Sequence, residues 1–286
     1  MTRPPDIAEL EARARTPGPD ADPLAAKERR LEAILESCGS VVLGYSGGVD
    51  STLLLKKALD VLGGDHVLAV TAATPTYEPD EVDEAERLAG KLGARHARIV
   101  SSELEDEGFL ANPPERCYYC KTDLYGDLKG LAAERGIASV IDGSQVDDAA
   151  DWRPGLKALD EQGIVSPLRE AGFTKADVRE LSRRLGLPTA EKPANACLAS
   201  RFPYGTEITV ADLERVGRAE RVLRDAGFDV VRVRHHGAVA RIEVPPGDRA
   251  RLLEAACAVL LRPASPLIAE RDLAELALGD GYDVGR

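Results

Sequence analysis

Residues 40–51 read Ser40-Val41-Val42-Leu43-Gly44-Tyr45-Ser46-Gly47-Gly48-Val49-Asp50-Ser51, or SVVLGYSGGVDS. Val41 to Tyr45 is a short, mostly apolar run, the pattern of a strand buried on both faces. Residues 51–62, STLLLKKALDVL, have helical spacing. A buried strand, a glycine turn and a helix in succession predict the start of a βαβ unit, and with it a parallel sheet.

The alternation continues downstream. Strands are expected at 66–74 (HVLAVTAAT), 94–102 (ARHARIVSS) and 138–144 (ASVIDGS), and helices at 79–93 and 124–136. This predicts an α/β fold whose parallel sheet is covered on both faces and binds ligands at the carboxyl ends of its strands. SGGVDS, TAAT and DGS all fall at such ends. Upstream, Leu24, Leu31, Ile34 and Leu35 form the apolar stripe of a helix that starts near Pro23, while residues 1–25 read as an N-terminal arm rich in Pro, Asp, Ala and Arg. After Asp151 the pattern changes. Residues 152–168 are partly loop, 174–188 a helix with Thr174 as N-cap, and 196–209 a polar loop. A helix (210–227), two strands (229–237, 239–246) and a helix (248–261) follow, with a further strand near the C-terminus. The division expected is an arm (1–25), a nucleotide-binding domain (26–150) and a smaller α+β domain (151–286).

The chain has 286 residues, 44% hydrophobic and 30% charged, with a formal net charge of -12. An acidic balance disfavours a nucleic acid backbone as main partner, since such binding relies on a basic surface. No apolar run approaches the roughly 20 residues that span a bilayer, and the N-terminus has no apolar signal core, so a cytoplasmic protein is expected.

The turn Ser46-Gly47-Gly48-Val49-Asp50-Ser51 has phosphate-loop chemistry. Its glycines let the backbone approach an anion, the helix start offers N–H groups and a positive dipole end, and Ser46 and Ser51 add hydroxyls. It is neither a Walker A loop nor G-x-G-x-x-G. Asp50 would repel phosphate unless Mg2+ stood between. An ordinary glycine turn with a capping Asp or Ser is the plain alternative.

SGGxDS after the first strand resembles the signature of the PP-loop ATP pyrophosphatases. These cleave ATP between the α and β phosphates and adenylylate a substrate. The resemblance implies a Rossmann-like sheet of the adenine nucleotide alpha hydrolase type, with ATP held by Ser46, Gly47, Gly48, Asp50 and Ser51, by Asp142 and Gly143 at the end of the fourth strand, and with adenine near Ala72 and Thr74.

Five cysteines, widely spread, argue against a disulfide framework. Cys38 and Cys257 sit on helical patterns and read as core residues. Cys117 and Cys120, in PERCYYCK, are a C-x-x-C pair that fits a redox couple, half a zinc site or part of an iron–sulfur cluster. PPERCYYCKTDLY, DGSQVDDAADWRPG and KPANACLASRFPYGTEIT together resemble the LarE family, over about residues 25–280. That family makes the nickel-pincer cofactor of lactate racemase. It adenylylates the carboxylates of pyridinium-3,5-biscarboxylic acid mononucleotide and converts them to thiocarboxylates. The chain is similar to members with three cysteines, which implies that Cys117, Cys120 and Cys197 carry a [4Fe-4S] cluster that delivers sulfide. Thiolates suit such clusters; zinc, with His235 or His236 as fourth ligand, and simple thiols remain the alternatives.

The resemblance further implies substrate contacts at Ser200, Arg201, Arg232, Arg234 and Glu220. Arg232 and Arg234 alternate on one strand and so share a face, which a solvated face would equally explain. Asp147, Asp148 and Asp151 are candidate Mg2+ ligands or solvated acids. Lys121 is either part of the pyrophosphate site or exposed, and Trp152–Gly155 is a family-like turn of no assigned role. The expected partners are the pyridinium nucleotide, a sulfide donor and other copies of the chain, with no nucleic acid or membrane. The competing functions are tRNA thiolation, an ATP-dependent amide synthetase, and a non-enzymatic ATP- or metal-sensing protein.

Overall fold

The structure, a computed structural model, describes residues 22–149, 154–194 and 196–260. Most of the expected arm, Asp151, Trp152 and the strand expected near the C-terminus lie outside the described residues. The described chain forms two compact units. The first comprises residues 22–74, 79–109 and 115–194, and the second 75–78, 110–114 and 196–260. The boundary expected at 150/151 is thus displaced: residues 154–194 belong with the first unit.

In the first unit a helix, α1 (Pro23–Cys38), leads into β1 (Val41–Gly44), α2 (Val49–Leu62), β2 (Val67–Ala72), α3 (Pro79–Lys91) and β3 (Arg95–Ile99). Then come α4 (Arg116–Glu134), β4 (Ser139–Ile141), α5 (Pro154–Gln162) and α6 (Lys175–Arg184). The four strands form a sheet in the order β3-β2-β1-β4, all pairs parallel. A bridge between Ile141 and Val165 continues it, with Asp142 N donating to Val165 O at 3.0 Å. The alternation of β1 decides which helices cover which face. Leu43 packs with Leu31, Leu35, Leu53, Leu54 and Phe173, whereas Val42 packs with Val70, Tyr125, Leu128 and Leu159. Each leucine buried this way stabilises the fold by roughly 1.5–3 kcal/mol relative to exposure. Central β2 is buried along its whole length, while edge β3 carries Arg95 and Arg98, charges that discourage further strand pairing.

The chain runs outward from β1 to β2 and β3, then returns to place β4 on the other side of β1. The carboxyl ends of β1 and β4 therefore flank the switch point where open α/β sheets bind ligands.

The second unit contains α7 (Val210–Asp225), an antiparallel hairpin of β5 (Arg232–His236) and β6 (Val239–Glu243), and α8 (Arg249–Leu260). Phe228, Val231, Val244 and Leu252 form its core. The two-residue hairpin turn begins with Gly237 at φ 67°, the first central position of a type II′ turn, where glycine is required.

Two expectations are corrected here. α4 starts at Arg116, not Leu124, so the C-x-x-C pair lies in its first turns. No side chain caps this start, so no capping signal marks it. Residues 154–162, expected to be partly loop, are helical. Gly155, Ala158 and Leu159 are buried on one face of α5. Among the described residues no helix is long and apolar enough to cross a membrane.

Candidate functional site

The turn after β1 has a defined internal geometry. Gly47 sits at φ 67°, and a β-carbon there would lie 3.0 Å from the Ala85 β-carbon, so only glycine fits. Ser46 Oγ accepts from Gly48 N at 3.3 Å and lies 3.1 Å from Ser51 Oγ. α2 has Gly48 as N-cap, with no side chain closing its end, which leaves the N-terminal N–H groups for an anion. Gly143, after β4, packs on this loop: a β-carbon would stand 3.2 Å from Ser51 N. The structure thus brings Ser46, Gly47, Gly48, Asp50, Ser51 and Gly143 together.

Two lysines absent from the sequence reading join them. Lys175 Nζ meets Asp50 Oδ2 at 2.5 Å. Lys192 Nζ donates to Gly47 O at 3.2 Å and to Glu84 Oε2 at 2.9 Å. Asp50 Oδ1 is buried and has no hydrogen-bond partner. Burial pushes the Asp50 carboxyl above its ordinary value, against the pull of the Lys175 ammonium, and Asp148 adds to the push. Asp147 Oδ2 accepts from Lys175 N at 2.7 Å, and Asp148 Oδ2 from Gln145 N at 3.0 Å. Both of these acids, read as possible Mg2+ ligands, organise local backbone. One signal for Lys175 was legible: it occupies the first position of α6 after N-cap Thr174, where the helix dipole disfavours a cation.

Asp142 is buried, and four donors surround it. Tyr125 Oη and Lys121 Nζ each lie at 3.1 Å from Oδ2, with Ser144 N at 2.8 Å and Ser166 Oγ at 3.2 Å from Oδ1. Burial would raise its carboxyl, but Lys121 and Ser144 outweigh it and hold the group below its ordinary value. For Lys121, burial is likewise outweighed by Asp142, which holds the ammonium above its ordinary value. Lys121 is therefore anchored on Asp142 rather than freely solvated. Gly44 makes room for this hub: a β-carbon there would stand 2.7 Å from Tyr125 Oη. Thr74 Oγ1 donates to the buried Glu103 at 2.7 Å, and Ala72 is buried at the end of β2.

Cys117 and Cys120 are three residues apart on α4, so they share a helix face. Cys117 is exposed and Cys120 half-buried. Gly155 presses α5 against this segment, since a β-carbon there would be 3.2 Å from the Cys117 carbonyl oxygen and 3.0 Å from Lys121 Cγ. That is a packing reason for glycine at position 155, near the start of α5.

In the second unit, Cys197 is half-buried and caps a single helical turn, Leu198–Arg201, with Leu198 N donating to Thr76 O at 2.8 Å. Arg201, expected to contact the substrate, is 1% exposed and turned inward. Its Nε and Nη2 donate to Glu220 Oε1 and Oε2 at 2.7 and 2.9 Å, while Nη1 donates to Ala196 O and Ser200 Oγ, each at 2.9 Å. Glu220, wholly buried, also accepts from Val233 N and Arg224 Nη2, each at 2.9 Å. Arg201 and Glu220 thus tie the Cys197 turn to α7 and β5, instead of reaching outward. Arg234 Nη1 donates to Ser200 O at 3.1 Å and Nε lies 2.9 Å from Glu243. Arg232 is half-buried with no ion pair among the described residues. His235 faces Phe202 with ring centroids 5.1 Å apart. Cys38 is buried, as expected. The backbone of Cys257 lies in α8. Among the described residues no group of three or more His, Cys, Asp or Glu side chains is gathered as a metal site.

The NAD synthase family model matches residues 25–105. Pyridinium-3,5-bisthiocarboxylic acid mononucleotide synthase of Lactiplantibacillus plantarum is 46% identical over 222 residues, which cover 78% of this chain and 80% of that protein. The chain belongs to this synthase family. An uncharacterized protein of Synechocystis is also 46% identical over 222 residues, covering 77% of this chain and 82% of the other. A more distant relative, the NH(3)-dependent NAD(+) synthetase of Chlorobaculum tepidum, is 37% identical over 167 residues, 56% of this chain and 58% of that one. The NAD synthase match includes the glycine loop, which lies inside residues 25–105. It is consistent with the parallel α/β sheet that carries the loop.

Proposed function

We propose that the chain is an ATP-dependent sulfur transferase that converts the carboxylates of pyridinium-3,5-biscarboxylic acid mononucleotide to thiocarboxylates, in biosynthesis of the nickel-pincer nucleotide. The observation that carries this is the similarity to the L. plantarum synthase across four-fifths of its length, together with a phosphate loop at the β1/β4 switch point. A substrate carboxylate oxygen attacks the α phosphorus of ATP, and pyrophosphate leaves. Sulfide then bonds to the acyl carbon as the C–O bond to AMP breaks, so one sulfur replaces one oxygen in each cycle.

No general acid–base triad is needed, because the carboxylate is already nucleophilic and the work is positioning and charge neutralisation. The N-terminus of α2, Ser46 and Ser51 take the phosphates. The buried, unpartnered Oδ1 of Asp50 fits a divalent cation, and Mg2+ is assigned there. Gly143 shapes the floor, and Ala72 and Thr74 border the adenine. Ser200, Arg232 and Arg234 take the substrate phosphate, while Arg201 and Glu220 hold their loop in place.

Cys117 and Cys120 on one helix face, and Cys197 at its turn, are thiols of the soft donor type that suits an iron–sulfur cluster. A [4Fe-4S] cluster on these three residues would supply the sulfide. The protein works in the cytoplasm, as an assembly of identical copies, and takes its sulfide from a separate donor. The net charge of -12 goes against the tRNA-thiolation reading. The test is anaerobic, reconstituted protein with ATP, Mg2+, sulfide and the biscarboxylate nucleotide. The expected product is heavier by sulfur-for-oxygen exchange; no exchange across cluster-replete preparations refutes the function.

A further inference from the structure

Thr71 is a polar residue in the otherwise apolar central strand β2, and it is buried. A buried hydroxyl costs free energy unless it is paired, so its partners show what it is kept for. Its Oγ1 donates to Tyr45 O at 2.7 Å and lies 2.8 Å from His96 Nε2 on the edge strand β3. A hydroxyl carries one proton. Because that proton goes to the Tyr45 carbonyl, Oγ1 must accept from His96, and His96 must carry its own proton on Nε2. The other ring nitrogen agrees: Nδ1 is buried without a hydrogen-bond partner, so a proton there would gain no acceptor. Burial holds the imidazole below its ordinary pKa, against the pull of Glu86, and so keeps the ring neutral.

This relay ends where β1 joins the phosphate loop. The β1/β2 register pairs Val41–Gly44 with Val67–Val70 and stops one residue short of Tyr45. Tyr45, the last residue before Ser46, is held at three points. Its N–H donates to Val70 O at 2.8 Å, its carbonyl accepts from Thr71, and its buried Oη lies 3.4 Å from Thr52 Oγ1 in α2. His96 also meets the Tyr45 ring edge-on, with centroids 6.3 Å apart. We propose that Thr71 and His96 are positioning residues for the phosphate loop: His96 Nε2–H orients the Thr71 hydroxyl, and that hydroxyl fixes the Tyr45 carbonyl and with it the direction in which the loop sets out. This rests on the ATP-dependent function proposed above. The planar peptide bond is what transmits the effect, because the Tyr45 carbonyl and the Ser46 N–H share one plane and turn together. A turn that holds an anion through N–H groups already aimed at it loses affinity when its first peptide can swivel.

The test uses the full chain and inorganic pyrophosphate with Mg2+, measured calorimetrically. Packing and hydrogen bonding predict opposite orders at position 71. Thr71→Val keeps the volume and loses the hydroxyl, whereas Thr71→Ser keeps the hydroxyl and loses a methyl group. Thr71→Val should bind pyrophosphate about 10-fold more weakly, the scale of one lost hydrogen bond, and Thr71→Ser within about two-fold of the parent. His96→Phe keeps a ring, loses the donor, and should weaken binding by about three-fold or more. Nitrogen-15 NMR of the parent should show His96 with its proton on Nε2 and none on Nδ1. Pyrophosphate affinity within about two-fold of the parent in Thr71→Val or in His96→Phe, Thr71→Ser weaker than Thr71→Val, or a parent His96 protonated on Nδ1 overturns the proposal. A lowered Tm with unchanged pyrophosphate affinity overturns it too, since the relay then serves stability alone. If Thr71→Val does not fold, His96→Phe decides by the same limit. A parent chain that binds neither ATP nor pyrophosphate refutes the ATP-dependent function and this proposal with it, whereas the His96 tautomer reads the relay whether or not a nucleotide binds.

Discussion

Replacing Glu220 with alanine should be among the most damaging single changes in the second unit. Its two carboxylate oxygens accept from Arg201 Nε and Nη2, Arg224 Nη2 and Val233 N, all at 2.7–2.9 Å, and both Glu220 and Arg201 are shut off from water. Removing one partner of a buried ion pair leaves a buried charge uncompensated, at about 3–5 kcal/mol. The Val233 N–H loses its acceptor too, at about 1–3 kcal/mol, and these costs overlap. Arg224 is spared, since Glu78 lies 2.8 Å away. A total near 4 kcal/mol corresponds to roughly a thousand-fold in the opening equilibrium. Hydrogen exchange measured by mass spectrometry should show it as a roughly thousand-fold faster exchange of α7 and β5 amides, with β1 and β2 little changed. The double variant Arg201→Met, Glu220→Leu removes both charges and should be less destabilised than Glu220→Ala alone. Acceleration below about 10-fold in Glu220→Ala, or a double variant worse than the single, would refute the reasoning.

Gly155→Val should force its β-carbon onto the Cys117 carbonyl, which as backbone cannot move aside. Overpacking of this kind costs about 1–3 kcal/mol, and a Tm lower by about 3–10 °C is expected by calorimetry. Cys117→Ala should abolish iron incorporation on anaerobic reconstitution, read by EPR and iron analysis, and leave ATP affinity within two-fold. Burial pushes the Asp123 carboxyl up to about 6, and Asp106, Asp127 and Glu103 nearby add to it. Because an acid whose folded pKa is raised stabilises only while protonated, its contribution is complete below the ordinary value of 3.8 and is lost as pH rises through about 6. Asp123→Asn should remove that loss: relative to the parent, its urea midpoint should improve between pH 4 and pH 7, and an unchanged difference across that range would contradict the assignment.

Local features of the fold were legible, and distant pairings were not. Val41–Tyr45 and the glycines after it announced a buried strand and a phosphate turn, because burial on both faces and positive φ leave direct marks on residue choice. The three other strands of the sheet and the amphipathic helix 210–225 were read for the same reason. The first turns of α4 escaped, since Cys and Tyr have middling helix propensity and no cap marks the start. In the site, the loop residues and Gly143 were found, but Lys175 and Lys192 were not. Their contacts with Asp50 and Gly47 bridge more than a hundred residues and exist only once α6 and the segment after it have packed. Arg201 and Glu220 were picked out as important for the substrate, and the structure shows them paired with each other. A motif shows that an arginine is constrained, and only burial shows whether it faces a ligand or a carboxylate of its own chain.

The second unit is assembled from three pieces of chain, and the earliest two are made long before their partners. Thr76 presents its carbonyl to Leu198 N, and Asn112, in the left-handed region at φ 52° and fully buried, accepts from Gly205 N and donates to the Pro203 and Thr206 carbonyls. Glu78 meets Arg224 roughly 150 residues after it has left the ribosome. At ~5–20 residues per second that is a wait of about 7–30 s. During synthesis these two short segments wait for their partners while the chain of the first unit is completed. A fragment beginning at residue 196 would lack both, so the C-terminal portion is not a removable module, and a fusion or split placed between residues 79 and 195 divides the second unit as surely as the first.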